Sequence, residues 1–392
     1  MKGPILHVAK VAGISGSENH LLLLLPALRQ RGHDVRFVML HEGEPGAAEM
    51  AGRLRQADVP VDELRLPTPG DPRALARLVR IVRRVRPAIL HTHLVHADFL
   101  GLTAGTLARV PVRASTKHGF NAFRSSRVFA AADRTITGLA DLHIAISGGL
   151  ARYLAAEEGL PEERFEIVHY GIEPGPAPAP LPGAPRLAIV GRLIPIKGHE
   201  VLLEAVAAAR ASVPELTLEI AGDGPLRASL EASVDRLDLR GSVAFLGRVA
   251  PAAPVFERAE IVVVPSFGEG FGMVALEAME RGRAVIASTV GGLPEIVEEG
   301  RTGLLVPPGD AAALGRAIVE LAQDRARAAL LGAAGRARAL TEFSQERCTE
   351  RIEALYREAL VAAGGRRSRT RRQARSSANA ASTASRKSHG TR

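Results

Sequence analysis

Two glutamates, Glu269 and Glu277, flank a run of backbone amides in the segment Glu269-Gly-Phe-Gly-Met-Val-Ala-Leu-Glu277. An ionised carboxylate only accepts hydrogen bonds, so two placed together suit a ligand rich in hydroxyls. Between them the amides of Gly270, Phe271, Gly272 and Met273 stand at a helix start, where N–H groups lack helical partners and favour phosphate or sugar oxygens. Phosphate at the amides and hydroxyls at the carboxylates describe a nucleotide sugar. Glycines in a tight turn between solvated glutamates are the other reading that these residues leave open.

The pair has to be held by something regular. Ile261-Val-Val-Val264 is a β-branched run that fits a strand buried on both faces. The loop Pro265–Gly272 follows it. From Met273 to Gly282 the pattern predicts a short helix, with Val274, Leu276, Ala278 and Met279 supplying apolar contacts. A second strand is expected at Ala284–Ser288. In such a unit the loop lies beyond the carboxyl end of the strand, where open α/β sheets bind ligands.

The nine-residue segment resembles the E-x7-E motif of retaining glycosyltransferases of the GT-B fold, in glycosyltransferase family 4. Gly291-Gly-Leu-Pro-Glu295 and Gly303-Leu-Leu-Val306 look like that family's next landmarks. The resemblance implies that Glu277 holds the nucleotide ribose and Glu269 the transferred sugar, with Gly270 to Met273 and Val274 beside them. Leu187-Ala-Ile-Val-Gly191-Arg192-Leu-Ile-Pro-Ile-Lys197-Gly198 resembles the family's G-R-L-x-x-x-K-G element. Arg192 and Lys197 would then match the charge of a departing pyrophosphate. Ala221-Gly-Asp-Gly224-Pro-Leu and Phe245-Leu-Gly-Arg248 also match family elements, and Gly224 and Arg248 are expected along the nucleobase pocket. No Asp-x-Asp occurs in the chain, so a metal-independent hexosyltransferase-type enzyme with no cofactor is expected.

In the first half, Val11-Ala-Gly-Ile-Ser-Gly16-Ser-Glu18 looks like the family's Gly-Gly-x-Glu loop, with Ser15 in place of its first glycine. Gly16 would meet the donor diphosphate or the acceptor, and Ser17 can cap the helix that follows. His118, in Ser115-Thr-Lys-His118-Gly119, matches the family histidine that faces the donor sugar. His91, His93 and His96 have no carboxylate or cysteine beside them and are read as polar residues at a strand end, not as metal ligands.

Strands expected near 4–9, 34–40, 88–93, 112–116 and 142–147, and again near 186–191, 216–221, 243–247, 261–264 and 284–288, alternate with helical stretches. The alternation predicts an α/β architecture. By resemblance it is a GT-B pair of Rossmann-like parallel-sheet domains facing a central cleft. Residues 1–172 would form the acceptor-side domain, and 186–345 the donor-side domain. The Pro-rich stretch 173–185 is the natural linker. A helix over 346–363 would cross back to the first domain. The segment Tyr170-Gly-Ile-Glu173 departs from the family's Asn-Gly-x-Asp before the linker.

The charge is unevenly placed. The chain carries 51 basic and 42 acidic residues, and residues 364–392 hold nine of the basic ones and no acid. Removing those nine leaves 42 of each sign, so the body is neutral. The tail predicts disorder, and either attraction to an anionic membrane surface or a solubilising extension with no further role. Nucleic acid is not an expected partner, because a neutral body without tryptophan offers few stacking platforms. The single Cys348 excludes an internal disulfide and fits a reducing, cytoplasmic compartment, and a tail drawn to anionic lipid would make the protein peripheral on the inner face of the membrane. The whole predicts sugar transfer from a UDP- or GDP-sugar to a glycan or lipid-linked acceptor in cell-envelope polysaccharide or glycoconjugate synthesis. An epimerase on the same fold and a catalytically silent binding protein are the alternatives.

Overall fold

A computed structural model describes residues 3–66, 71–120, 127–158, 161–176 and 183–365. The basic segment from 366 onward and residues 177–182 of the linker lie outside the described residues. The first sheet contains β1 (Ile5–Lys10), β2 (Val35–His41), β3 (Val61–Arg65), β4 (Ile89–His93), β5 (Val112–Lys117), β6 (Leu142–Ala145) and β7 (Phe165–Ile167). The second contains β8 (Arg186–Val190), β9 (Thr217–Ala221), β10 (Val243–Gly247), β11 (Ile261–Val264), β12 (Ala284–Ser288) and β13 (Leu304–Val306). Among the described residues every pairing between these strands is parallel. The orders are β3-β2-β1-β4-β5-β6-β7 and β10-β9-β8-β11-β12-β13. This is the two-domain GT-B architecture that the alternating pattern and the resemblance imply.

Both sheets reverse their winding direction at the middle. In the first the reversal falls between β1 and β4, in the second between β8 and β11. Loops leaving adjacent strands toward opposite faces open a crevice there. Three of the four loops at these points carry glycine-rich motifs: Val11–Glu18 after β1, Gly191–Gly198 after β8, and Pro265–Gly272 after β11.

Burial on both faces follows the period of two. Val262 and Val264 join one apolar cluster, and Ile261 and Val263 join another. The first of these clusters is shared by both domains. In it Ile146, Leu150 and Tyr170 meet Phe271, Leu293 and Ile296. The strands that sequence reading missed, β3, β7 and β13, are short or charged edge strands. Val-Asp-Glu-Leu-Arg at β3 has the polar composition that discourages pairing with another chain, and so it hides the strand.

The connection between domains is clamped at Gly175. Its N–H donates to Glu280 Oε1 (2.6 Å), and its carbonyl accepts from Arg336 Nη2 (2.8 Å). Glu280 is buried and also pairs with Arg336 (3.1 Å) and Arg281 (3.0 Å). Just before the clamp, Ile172 N–H donates to the Phe343 carbonyl and the Ile172 carbonyl accepts from Gln345 N–H. A helix over residues 345–365 then returns to the first domain, where Cys348, Ile352, Leu355 and Tyr356 pack against Ile5, Leu24 and Val35. Among the described residues no helix is long and apolar enough to cross a membrane.

Removing the Glu280 carboxylate takes a buried anion from the Arg281 and Arg336 guanidinium groups and the acceptor from the Gly175 amide, and breaking a buried ion pair costs about 3–5 kcal/mol. Glu280→Ala is therefore expected to lower the thermal midpoint by several degrees, and Glu280→Gln by less. A midpoint for Glu280→Ala equal to wild type would show that the clamp contributes nothing.

Candidate active site between the two domains

The loop after β1 enters the helix Gly16–Gln30 through Ser15, which is its N-cap, so the expected cap at Ser17 shifts by two residues. The Glu18 carboxylate accepts from Ser15 N–H (3.1 Å), Ser15 Oγ (2.5 Å) and Ser17 Oγ (3.0 Å), the reciprocal half of a capping box. Serine in place of the family's glycine thus supplies the cap. Across the cleft from Gly16 lies Met273, at the start of the helix Met273–Glu280: a Cβ added at Gly16 would stand 3.6 Å from Met273 Cγ.

Lys197 and Glu269 are brought together. The Lys197 ammonium donates to Glu269 Oε2 at 2.6 Å, beside a small cavity lined by Val190, Pro265, Ser266 and Val274. Arg192 is exposed at the same end of β8, with no side-chain partner among the described residues. Gly224 packs on this loop, so close to the Leu193 carbonyl that a Cβ would stand 2.6 Å from it. Arg248 is exposed after β10, three strand positions from β11, or about 14 Å at 4.8 Å per strand. It does not join the Glu269 loop. Glu277 lies on the helix behind that loop, where burial, and next the charge of Glu280, push its carboxyl up to about 7. Phe271 contributes backbone to the loop while its ring is buried against His169, Tyr170 and Phe343.

The two domains meet at this loop. Gly270 is packed so closely on the first domain that a Cβ there would lie 3.1 Å from the His118 carbonyl. Ser147 Oγ donates to the Gly270 carbonyl at 2.6 Å. The Gly291-Gly292 turn supports the loop from below. Gly291 has φ +54°, any Cβ there would collide with the Glu269 carbonyl, and Gly292 N–H donates to that same carbonyl at 3.2 Å.

The His118 imidazole faces inward. Its Nε2 bonds His93 Nδ1 (3.0 Å), and its Nδ1 bonds the Tyr170 hydroxyl. His93 Nε2 continues to His7 Nδ1 (2.9 Å), His7 Nε2 to the Tyr356 hydroxyl (3.4 Å), and that hydroxyl to His91 Nδ1 (2.5 Å). His91 Nε2 ends the chain on Thr116 Oγ1 (2.7 Å). Ring nitrogens of His7, His91 and His93 lie within 4.8 Å of one another, a spacing that would also admit a cation. Each of those nitrogens already has a hydrogen-bond partner, so the residues fit a network of neutral imidazoles better than a ligand set. His20 stacks on Tyr170 at 4.5 Å, with its Nδ1 buried and unpartnered. The spacing of two puts His91 and His93 on one strand face, but nothing local in the sequence signals that His7, Tyr170 or Tyr356 joins them.

Burial pushes both His7 and His20 down to about 3, against an unfolded value near 6.5. The unfolded chain therefore binds protons that the native one refuses, and stability present above pH 6.5 is lost as pH falls from there toward 3. We expect the thermal midpoint to drop steadily between pH 6.5 and 4.5, with a shallower slope for His20→Phe. A flat profile in wild-type protein would contradict neutral, buried histidines.

Residues 184–324 match the family described as glycosyl transferases group 1, and residues 14–175 match glycosyltransferase family 4. The alpha-maltose-1-phosphate synthase of Mycolicibacterium smegmatis is 31% identical over 307 residues, 69% of this chain and 78% of that protein. The D-inositol 3-phosphate glycosyltransferase of Streptomyces avermitilis is 34% identical over 232 residues, 53% of this chain and about half (48%) of that relative. Among solved structures, Anabaena HepE in complex with UDP and glucose superposes with a TM-score of 0.77 at 22% identity, over 89% of this chain and 98% of that one. The sucrose-phosphate synthase of Thermosynechococcus elongatus superposes with a TM-score of 0.73 at 25% identity, over 92% of this chain and 100% of that one. Taken with the paired switch-point crevices and the Glu269–Glu277 loop, these likenesses identify the chain as a glycosyltransferase of family 4.

Proposed function

We propose that this glycosyltransferase moves a sugar, with retention of its anomeric configuration, from a UDP- or GDP-sugar to a hydroxyl of a glycan or lipid-linked acceptor in cell-envelope polysaccharide or glycoconjugate synthesis. The observation that carries the reading is the Lys197–Glu269 pair at 2.6 Å, standing where the second domain's loop touches His118–Gly119 of the first. A sugar diphosphate brings both partners of that pair a new ligand: phosphate for the ammonium and hydroxyls for the carboxylate. The complexes of Anabaena HepE with UDP and with UDP-glucose support a nucleotide-sugar donor.

In this mechanism Glu277 holds the ribose hydroxyls and Glu269 the hydroxyls of the transferred sugar. As the bond from sugar to diphosphate lengthens, charge grows on the departing phosphate. The unpaired Arg192, Lys197 and the amides of Gly270 to Met273 meet that charge, so no divalent cation is required. The departing phosphate then takes the acceptor's proton on the face where the acceptor attacks, which gives retention. The His118 carbonyl lines the sugar's side of the cleft while its ring stays in the histidine chain. Residues 364–392, nine of them basic, would hold the enzyme at an anionic membrane surface that carries the acceptor.

Titration of UDP and GDP by calorimetry, followed by NMR of the anomeric proton during turnover in EDTA, tests the reading. We expect nucleotide binding and an α-linked product from an α-linked donor. An inverted product, or activity restored only by magnesium, would refute the mechanism.

Two acids give separate outcomes. A ribose held by ionised Glu277 requires a carboxyl near 7 to lose its proton, so affinity is expected to weaken toward tenfold per unit as pH falls below about 7. Glu277→Gln should bind weakly at every pH, and pH-independent binding by wild type would exclude the role. Glu269→Gln should keep nucleotide affinity and lose about 10- to 150-fold in turnover, the equivalent of 1.5–3 kcal/mol for a charged hydrogen bond.

A further inference from the structure

The Gly291-Gly-Leu-Pro-Glu295 motif carries a glutamate that the reaction outlined above does not use. Its carboxylate reaches into the first domain. Gly148 N–H donates to Glu295 Oε2 at 3.0 Å and Gly149 N–H to Oε1 at 2.7 Å. These are amides of the first turn of the helix Gly148–Glu158, groups that no helix can satisfy by itself. The His169 Nε2 donates to Oε2 at 2.9 Å. The negative group therefore sits at the positive end of a helix dipole and beside an imidazole. Burial works against the charge there, and the hydrogen bonds from His169, Gly148 and Gly149 overcome it and hold the carboxyl below its usual range.

The approach is tight on both sides. A Cβ at Gly149 would collide with the Gly291 carbonyl, so the helix start rests directly on the turn that precedes Glu295. That turn in turn holds the Glu269 carbonyl through Gly292 N–H. An unbroken path of short contacts thus runs from the first domain's helix, through Glu295 and the Gly291-Gly292 turn, to the backbone of the sugar-facing residue. On the other side Arg338 Nη2 donates to the Glu295 carbonyl at 3.0 Å and anchors the segment in its own domain.

We propose that Glu295 is a positioning residue for glycosyl transfer, a latch that forms only when the domains close and that sets Glu269 in place as it forms. The inference rests on the reading of Glu269 given above. The groups that hold the nucleotide in the mechanism above, Glu277, Arg192, Lys197 and the Gly270–Met273 amides, belong to the second domain, so nucleotide binding does not need the latch. Transfer needs both domains, and the contacts of Glu295 are gained only in that state.

The test compares wild type, Glu295→Ala, Glu295→Gln and His169→Gln in full-length protein. UDP affinity, turnover at saturating donor, and small-angle scattering with UDP bound are measured for each. For Glu295→Ala we expect UDP affinity like wild type, a turnover loss of about tenfold or more from the missing charge-assisted hydrogen bonds, and a larger radius of gyration. Glu295→Gln keeps one acceptor oxygen and should recover part of both quantities. His169→Gln, with the helix amides still engaged, should show a smaller loss in the same direction. Equal losses of UDP affinity and turnover in Glu295→Ala would overturn the proposal, since they would mean that the donor pocket itself had collapsed. Unchanged turnover or unchanged scattering would overturn it as well. Wild-type protein that binds UDP but transfers no sugar would refute the functional reading instead, while the scattering comparison would still read the latch.

Discussion

Backbone meets backbone at the seam between the domains, and the rest of the site depends on that closeness. Gly149 rests on the Gly291 carbonyl, Gly291 on the Glu269 carbonyl, and Gly270 on the His118 carbonyl. A side chain at Gly149 would collide with the other domain, one at Gly291 would displace the Glu269 loop, and one at Gly270 would crowd the His118 carbonyl. Polar backbone groups this close must find partners when water is excluded. Ser147, Gly292, Gly148 and Gly149 supply the hydrogen bonds that meet this demand. The cleft is therefore both a ligand crevice and a joint, built from the same loop.

Much of this could be read from the chain before any coordinates. Ile261-Val-Val-Val264 announces a strand buried on two faces, and the glycines after it announce a loop that something approaches closely. The E-x7-E spacing and the Gly191–Gly198 element mark two loops as the expected donor side, and the structure sets those loops on neighbouring strands. What stayed hidden shares one physical cause, pairing between residues remote in sequence. Glu295 and Gly149 are 146 positions apart, and Tyr356 and His7 are 349. Local pattern carries no register between such segments. His118 shows the limit from the other side. Its position at a strand end by the cleft was legible, but the inward turn of its ring depends on His93 and Tyr170, which arrive from other elements.

The buried polar chain from Thr116 to Tyr170 has a property that no pair within it has. Each neutral imidazole carries one proton and one lone pair, so it donates at one nitrogen and accepts at the other. With hydroxyls at both ends, the whole series can be satisfied with all its protons pointing either way, and one ring cannot reverse without the next. Such networks polarise cooperatively in a low-dielectric interior. The rings closest to the cleft are thereby linked to Tyr356 on the returning helix.

That returning helix bears on how the molecule comes into being. The first domain's apolar layer is finished by Cys348, Ile352, Leu355 and Tyr356, which leave the ribosome after every strand of both sheets has been made. The second domain has its own complete set of strands by Val306 and can close over them first. The domain that begins the chain is thus the one that must wait, with the face under Ile5 and Leu24 uncovered, until the last helix arrives. Domains generally fold as units in order of synthesis, and here the covering of that face runs against the order. Any break in the chain between Glu342 and Tyr356 would leave the second domain whole and the first without its lid.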